Sequence, residues 1–297
     1  MYVINNRIEK VIQPNIIMTL TGHLDIVSKI LYSSKKLVSC SDDTTIKIWD
    51  IESGSCLDTL HGHTEPINDI CLLPDNKLAS VCRGKTIKIW DLNSKILVKS
   101  IITDAVPICI IEKNFHLFIT FASTGNIYVW NQETYEICNK INAHTNHINC
   151  LLVMDDILVS ASDDKLIKLW CIFSGKYINH LKGHTERVIC LKRTYDGNLV
   201  SGSTAEIKVW HEKTNCVATF NTFSESFEFV ILFNRYIILD NCEMLQIIDI
   251  AKQKNGTIKR AKISSDCQTL TKLPTNNIAI GNKNDIIIIK PDFIEQL

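Results

Sequence analysis

The 297-residue chain carries 32 Lys plus Arg against 32 Asp plus Glu, so no net field draws it to nucleic acid or an anionic membrane, and any charge recognition must be local. Its 45% hydrophobic content is enough for a substantial core, while apolar runs such as Ile286 to Ile289 fall far short of the ~20 residues of a spanning helix. The first residues, MYVINNRIEKVIQPNIIMTL, lack the charged-then-apolar order of a signal peptide, and no lipidation motif stands at either end. The expected location is the cytoplasm, with the nucleus as the second compartment.

The elements repeat in chain order. IIMTLTGH at 16–23 leads to KLVSCSDD at 36–43 and TIKIWD at 45–50. CLDTLHGH at 56–63, KLASVCRG at 77–84 and TIKIWD at 86–91 follow in the same order. The next units are LFITFAST at 117–124 with NIYVWN at 126–131, ILVSASDD at 157–164 with LIKLWC at 166–171, and NLVSGSTA at 198–205 with EIKVWH at 206–211. Trp49, Trp90, Trp130, Trp170 and Trp210 are all five tryptophans of the chain and lie 41, 40, 40 and 40 residues apart. Apolar and polar residues alternate around each of them, which predicts half-buried strands, and turn residues between paired runs predict hairpins. Two degenerate units continue the count, with Ile248 of EMLQIID and Ile289 of DIIIIK in the tryptophan place. A unit of about 40 residues with four strands, GH near one end and WD near the other, is the signature of a propeller blade.

On these motifs the chain resembles the WD-repeat family: Gly22-His23, Gly62-His63, Ala143-His144 and Gly183-His184, with Trp49-Asp50 and Trp90-Asp91. The resemblance implies an all-β, seven-bladed β-propeller of four-stranded antiparallel blades in one domain over 1–297. The repeats run at approximately 21–60, 61–101, 102–141, 142–181, 182–220, 221–258 and 259–297 plus 14–20. Little chain remains after Ile289, so the N-terminal strand is expected to complete the last blade, as is usual in the family, and to leave no open edge.

Ser, His and Asp in each unit suggest nucleophilic chemistry at first sight. The resemblance implies instead a structural hydrogen-bond chain, because a buried indole and a buried imidazole both need partners. Its members are His23, Ser39, Asp43 and Trp49 in blade one and His144, Ser160, Asp164 and Trp170 in blade four. Blade two keeps His63, Ser80 and Trp90 but has Gly84 in the Asp place. Blade five keeps His184, Ser201 and Trp210 with a turn one residue shorter. Blade three has Asp104 where His is expected. Blades six and seven keep none, so their packing is expected from Phe227, Phe229, Phe233 and the Ile-rich strands. No catalytic residue and no cofactor are expected.

Twelve cysteines without a C-x-x-C read as small buried thiols. His144 and His147 form half of a metal motif with no matching pair nearby, so no metal is expected. By register, the loops that follow GH and the SDD turns offer Asp25, Ser28, Asp42, Glu65, Asn68, Arg83, His147, Asn149, Asp163, Arg187, Asp266 and Gln268 as partner-binding candidates. Arg83 and Arg187 stand out because a guanidinium grips a carboxylate or phosphate with two bonds. The function expected is a non-catalytic scaffold or adaptor for proteins or peptides, monomeric within a larger complex, with no direct contact to nucleic acid or membrane. The alternatives are a substrate-recognition subunit of a ubiquitin ligase, a histone-tail reader or, further off, a propeller enzyme.

Overall fold

The structure is a computed structural model, and it describes residues 2–4, 7–9, 14–211, 214–221, 228–233, 235–241, 244–250, 259–262 and 267–294. Seven four-stranded antiparallel sheets stand in a ring. Blade one is Val27–Ser33, Lys36–Ser41, Ile46–Asp50 and Cys56–Leu60, inside to outside. Blade two is Ile67–Leu73, Lys77–Cys82, Thr86–Asp91 and Ile96–Ile102, and blade three is Pro107–Lys113, His116–Phe121, Asn126–Asn131 and Ile137–Asn142. Blade four runs Ile148–Met154, Ile157–Ser162, Ile167–Cys171 and Tyr177–Leu181; blade five runs Val188–Arg193, Leu199–Ser203, Glu206–His211 and Asn215–Asn221. Blade six is Phe229–Leu232, Tyr236–Asn241, Met244–Asp249 and Lys259–Lys262. Blade seven takes Cys267–Lys272, Ile278–Asn282 and Asp285–Lys290 from the C-terminal end. Its outer strand is Asn15–Leu20, paired antiparallel to Asp285–Lys290 with Leu20 opposite Ile286.

The alternation in the sequence is spent on the spaces between blades. Each tryptophan packs against the blade before its own: Trp90 lies with Val38, Ile48 and Leu60 of blade one, and Trp130 with Ile87 and Ile89 of blade two. Trp49 lies with Leu20, Ile286 and Ile288 of the closing blade. This last cluster joins the two ends of the chain, so the ring is held by apolar packing as well as by ladder hydrogen bonds. Ile248 and Ile289 take the tryptophan place in their blades, opposite Ile237 and Ile278, and are fully buried. Phe229 is buried, but Phe233 is 52% exposed at a turn with positive φ, so it adds little to the core, contrary to expectation. Phe227 lies outside the described residues.

Candidate functional site

The hydrogen-bond chains form in blades one, two, four and five. In blade one, His23 Nε2 lies 2.8 Å from Ser39 Oγ, the Trp49 indole donates to the same oxygen at 2.8 Å, and His23 Nδ1 meets Asp43 Oδ2 at 2.8 Å. Blade four repeats this with His144, Ser160, Trp170 and Asp164 at 2.8 to 3.0 Å. Burial would raise both Asp carboxyls, but the bonds from His and from neighbouring backbone outweigh it; Asp164 falls to about 2. The glycine of GH makes room for the ring, since a Cβ on Gly22 would stand 3.3 Å from Trp49 Cη2.

Where the sequence lacks the Asp, the first residue of the tryptophan strand is left beside the histidine, as Thr45 is beside His23 in blade one. In blade two His63 Nε2 is 2.7 Å from Ser80 and the Trp90 indole 2.8 Å from it, while Thr86 Oγ1 takes up His63 Nδ1 at 3.2 Å. In blade five His184 Nε2 is 2.6 Å from Ser201, and Glu206 Oε1 lies 3.2 Å from His184 Nδ1. Burial, reinforced by Lys88, pushes His63 down to about 3. Burial likewise lowers His184 to about 4, although Glu206 works the other way. Both rings are therefore neutral at physiological pH. Blade three has no such chain: counting ten residues back from Trp130 gives Thr120, but strand pairing puts Ile119 opposite Tyr128, as Ser39 is opposite Lys47. The Trp130 indole has no hydrogen-bond partner among the described residues.

Around the axis the loop candidates come together in two groups. Ser28 donates to Asp42 at 3.0 Å, and Arg83 Nη2 reaches Asp42 at 3.3 Å. Arg83 Nε donates to Asn68 at 3.3 Å, and Asn68 donates to the Pro107 carbonyl at 2.8 Å. This chain crosses from blade one to blade three and tethers Arg83. In the second group Asn149 donates to Asp163 at 2.8 Å and to the Val188 carbonyl at 3.0 Å. Arg187 is exposed and has no ion-pair partner among the described residues. Asp25 and Glu65 are exposed, and His147 is half-buried with an unpartnered Nε2. Asp266 and the Gln268 side chain lie outside the described residues.

Arg187, Asn68, Asn149 and Ser28 line the mouth of an axial cavity of about 340 Å³. Its wall holds an ion cluster that the sequence did not announce: Glu228 is bonded by Lys29 at 2.9 Å, Lys192 at 3.0 Å, Thr269 at 2.7 Å and the Leu270 amide at 2.9 Å. Burial alone would raise the Glu228 carboxyl, but Lys192 and Lys29 hold it far below the usual carboxylate range. Asp69, raised by burial, accepts from the Ile70 and Ile110 amides at 3.0 Å each. Cys109, Cys150 and Cys190 also face the cavity, and burial raises all three thiols, Cys190 to about 12. They stay protonated and unreactive. The buried acids are thus occupied in tying blades together, whereas Arg187 is free to meet a ligand.

The fold and these chains define a WD-type propeller. The model of the family "WD domain, G-beta repeat" matches residues 14–50, 54–91, 135–171 and 175–211, together just over half of the chain, and the protein belongs to that family. Each match starts on an outer strand and ends at a tryptophan strand, so the sequence unit is offset from the blade by one strand, which is what lets the first strand close the last blade. Members of this family are generally non-catalytic scaffolds. The chain is 28% identical over 184 residues to Autophagy-related protein 16 of Arabidopsis thaliana, covering 58% of the chain and 36% of that protein. It is 27% identical over 169 residues to WD repeat-containing protein pop2 of Schizosaccharomyces pombe, covering 57% and 23%. It is also 29% identical over 161 residues to Pre-mRNA-processing factor 17 of Mus musculus, covering 50% and 28%. The chain thus matches about a third or less of the length of these relatives.

Proposed function

We propose that the protein is a non-catalytic adaptor that holds an acidic segment of a protein partner on the loop face around the axial cavity. The observation that carries this reading is Arg187: an exposed, unpaired guanidinium at the mouth of a cavity whose rim also offers Asn68 and Asn149. With Arg83 tethered to Asp42, one free fork remains, which suits a single carboxylate or phosphate better than an array of phosphates. The relatives' names, one from autophagy and one from pre-mRNA processing, support protein partners in the cytoplasm or the nucleus.

The test is affinity purification with quantitative mass spectrometry on wild type, Arg187→Glu, Arg83→Glu and the rim control Asp58→Ala. Asp58 pairs only with Lys95 on an outer strand among the described ion pairs. Arg187→Glu is expected to lose specific partners with an unchanged thermal midpoint, and Asp58→Ala to keep them. Partners retained by Arg187→Glu and lost from Asp58→Ala would move the binding surface to the rim.

A further inference from the structure

Blade three departs from its neighbours at three positions that meet in space. Two residues before the tryptophan, blades one, two, four and five carry Lys47, Lys88, Lys168 and Lys208; blade three carries Tyr128. The histidine of the GH pair is replaced by Asp104, and the serine that links histidine to tryptophan by Ile119. In blade five the lysine stem lies beside the GH pair, with Lys208 Cε 3.7 Å from where a Cβ on Gly183 would stand. In blade three the same region is open: a pocket of about 180 Å³ lies between blades two and three, with Thr103 and Asp104 on one side and Phe121, Tyr128 and Trp130 on the other.

The replacements invert the local chemistry. Four blades place an ammonium and an imidazole here, and blade three places aromatic rings and a carboxylate. Phe121 and Tyr128 meet edge to face, with centroids 5.0 Å apart at 83°. Asp104 is exposed, and no cation pairs with it among the described residues. Among the described residues no lysine or arginine lines the pocket; outside that lining, Lys140 sets its ammonium 5.3 Å from the Tyr128 ring. Ile102, 84% exposed, and Ile137, 51% exposed, flank the opening and offer apolar surface to an alkyl stem.

We propose that this pocket is a docking site for a lysine side chain presented by a partner protein, its ammonium held between the aromatic rings and the Asp104 carboxylate. The rings attract a cation through their quadrupoles and the carboxylate adds an ion pair at the mouth. The exposed strand Ile96–Ile102, which ends at the pocket, offers the partner chain Ile96, Leu97, Val98 and Ile102 as apolar contact. The site shares no lining residue with the axial cavity that Arg187 lines and suits a basic segment rather than an acidic one, so it stands apart from the reading of the axial face.

The experiment follows the Trp130 indole N–H cross-peak of the ¹⁵N-labelled full chain during titration with Nα-acetyl-lysine methylamide, its norleucine counterpart and tetramethylammonium. The lysine probe should shift Trp130 saturably and the neutral norleucine probe should bind about ten-fold more weakly, the size of a cation–π contact with its ion pair. Asp104→Asn and Tyr128→Lys should each weaken the lysine probe by about ten-fold. Tyr128→Lys restores the residue of the other blades and should keep the thermal midpoint; should it fail to fold, exposed Asp104→Asn carries the test alone. Equal binding of the lysine and norleucine probes, undiminished binding to Asp104→Asn, or no shift of Trp130 would each overturn the proposal. Tetramethylammonium binding more tightly than the lysine probe would overturn the protein-borne source.

Discussion

Glu206 Oε1 lies 3.2 Å from His184 Nδ1, so a carboxylate on the tryptophan strand of blade five stands beside the imidazole where Asp43 and Asp164 stand from the turns of blades one and four, although without their hydrogen bond to the ring. The shorter turn removes the usual acid, and the longer Glu side chain reaches back from the strand. Its second oxygen meets Lys208 at 3.1 Å, and its first accepts from the Thr185 amide at 3.1 Å.

Glu206→Ala therefore takes the acceptor from the Thr185 amide and the counter-charge from Lys208 at a buried position. The cost expected is about 1 to 3 kcal/mol, the penalty for unmade buried hydrogen bonds. Glu186, half-exposed and 4.0 Å from Lys165, is the control, and its removal should change stability by less than about 0.5 kcal/mol. Chemical denaturation of the two variants decides; equal losses would assign Glu206 no role in the chain.

His144→Ala takes one buried partner from each of Ser160 and Asp164 and should also cost about 1 to 3 kcal/mol. His116, whose Nδ1 touches only the Asn114 carbonyl at the surface, belongs to no such chain. His116→Ala should leave the denaturation midpoint close to wild type, and a loss matching that of His144→Ala would count against the assigned network.

The buried histidines set a pH dependence. His63 at about 3 and His184 at about 4 lie below their ordinary 6.5, so between these values the unfolded chain binds protons that the folded one refuses. Stability should fall as the pH drops below about 6.5 toward 4. The carboxyl of Asp164, at about 2 against 3.8, adds stability that is present above 3.8 and lost as the pH falls toward 2. His63→Gln should be less stable at neutral pH yet lose less on acidification to pH 4.5. A thermal-midpoint profile with the wild-type slope would refute the neutral, buried His63.

The ring, its blade count and its closure were legible in the sequence because tryptophan spacing and strand alternation recur at a fixed period. The roles of Thr86 and Glu206 were not, because the place they share with Thr45 and Asn126 at the start of the tryptophan strand reads as an ordinary exposed strand end, and only the fold brings it beside the histidine. In blade three an extra turn residue hides the loss: residue counting offers Thr120 as the missing hydroxyl, whereas strand pairing shows that Ile119 occupies the place. The axial cluster went unread for another reason: Lys29 and Glu228, 199 residues apart, hold the same inner-strand place as Asp69, Cys109, Cys150, Cys190 and Thr269, but residue type varies there from blade to blade, so no motif marks it. Loop placement found Arg83 and Arg187, but only the ion pair with Asp42 shows that the first is tethered.

Closure offers the most direct test of the architecture. Asn15–Leu20 pairs along Asp285–Lys290, and Leu20 is fully buried with Trp49, Ile286 and Ile288. Deleting residues 1–20 exposes both the strand edge and this apolar cluster, so the thermal midpoint should fall sharply and aggregation should rise. A milder probe separates packing from pairing: Leu20→Ala should cost about 2 to 5 kcal/mol as a core truncation, and Ile17→Ala, at a position 49% exposed, should cost less than about 1 kcal/mol. A synthetic peptide spanning residues 14–20 should raise the midpoint of the truncated protein in a concentration-dependent way, because it binds only the folded ring. A truncated protein as stable as wild type, or a Leu20→Ala variant no worse than Ile17→Ala, would show that the first strand is not what closes the propeller.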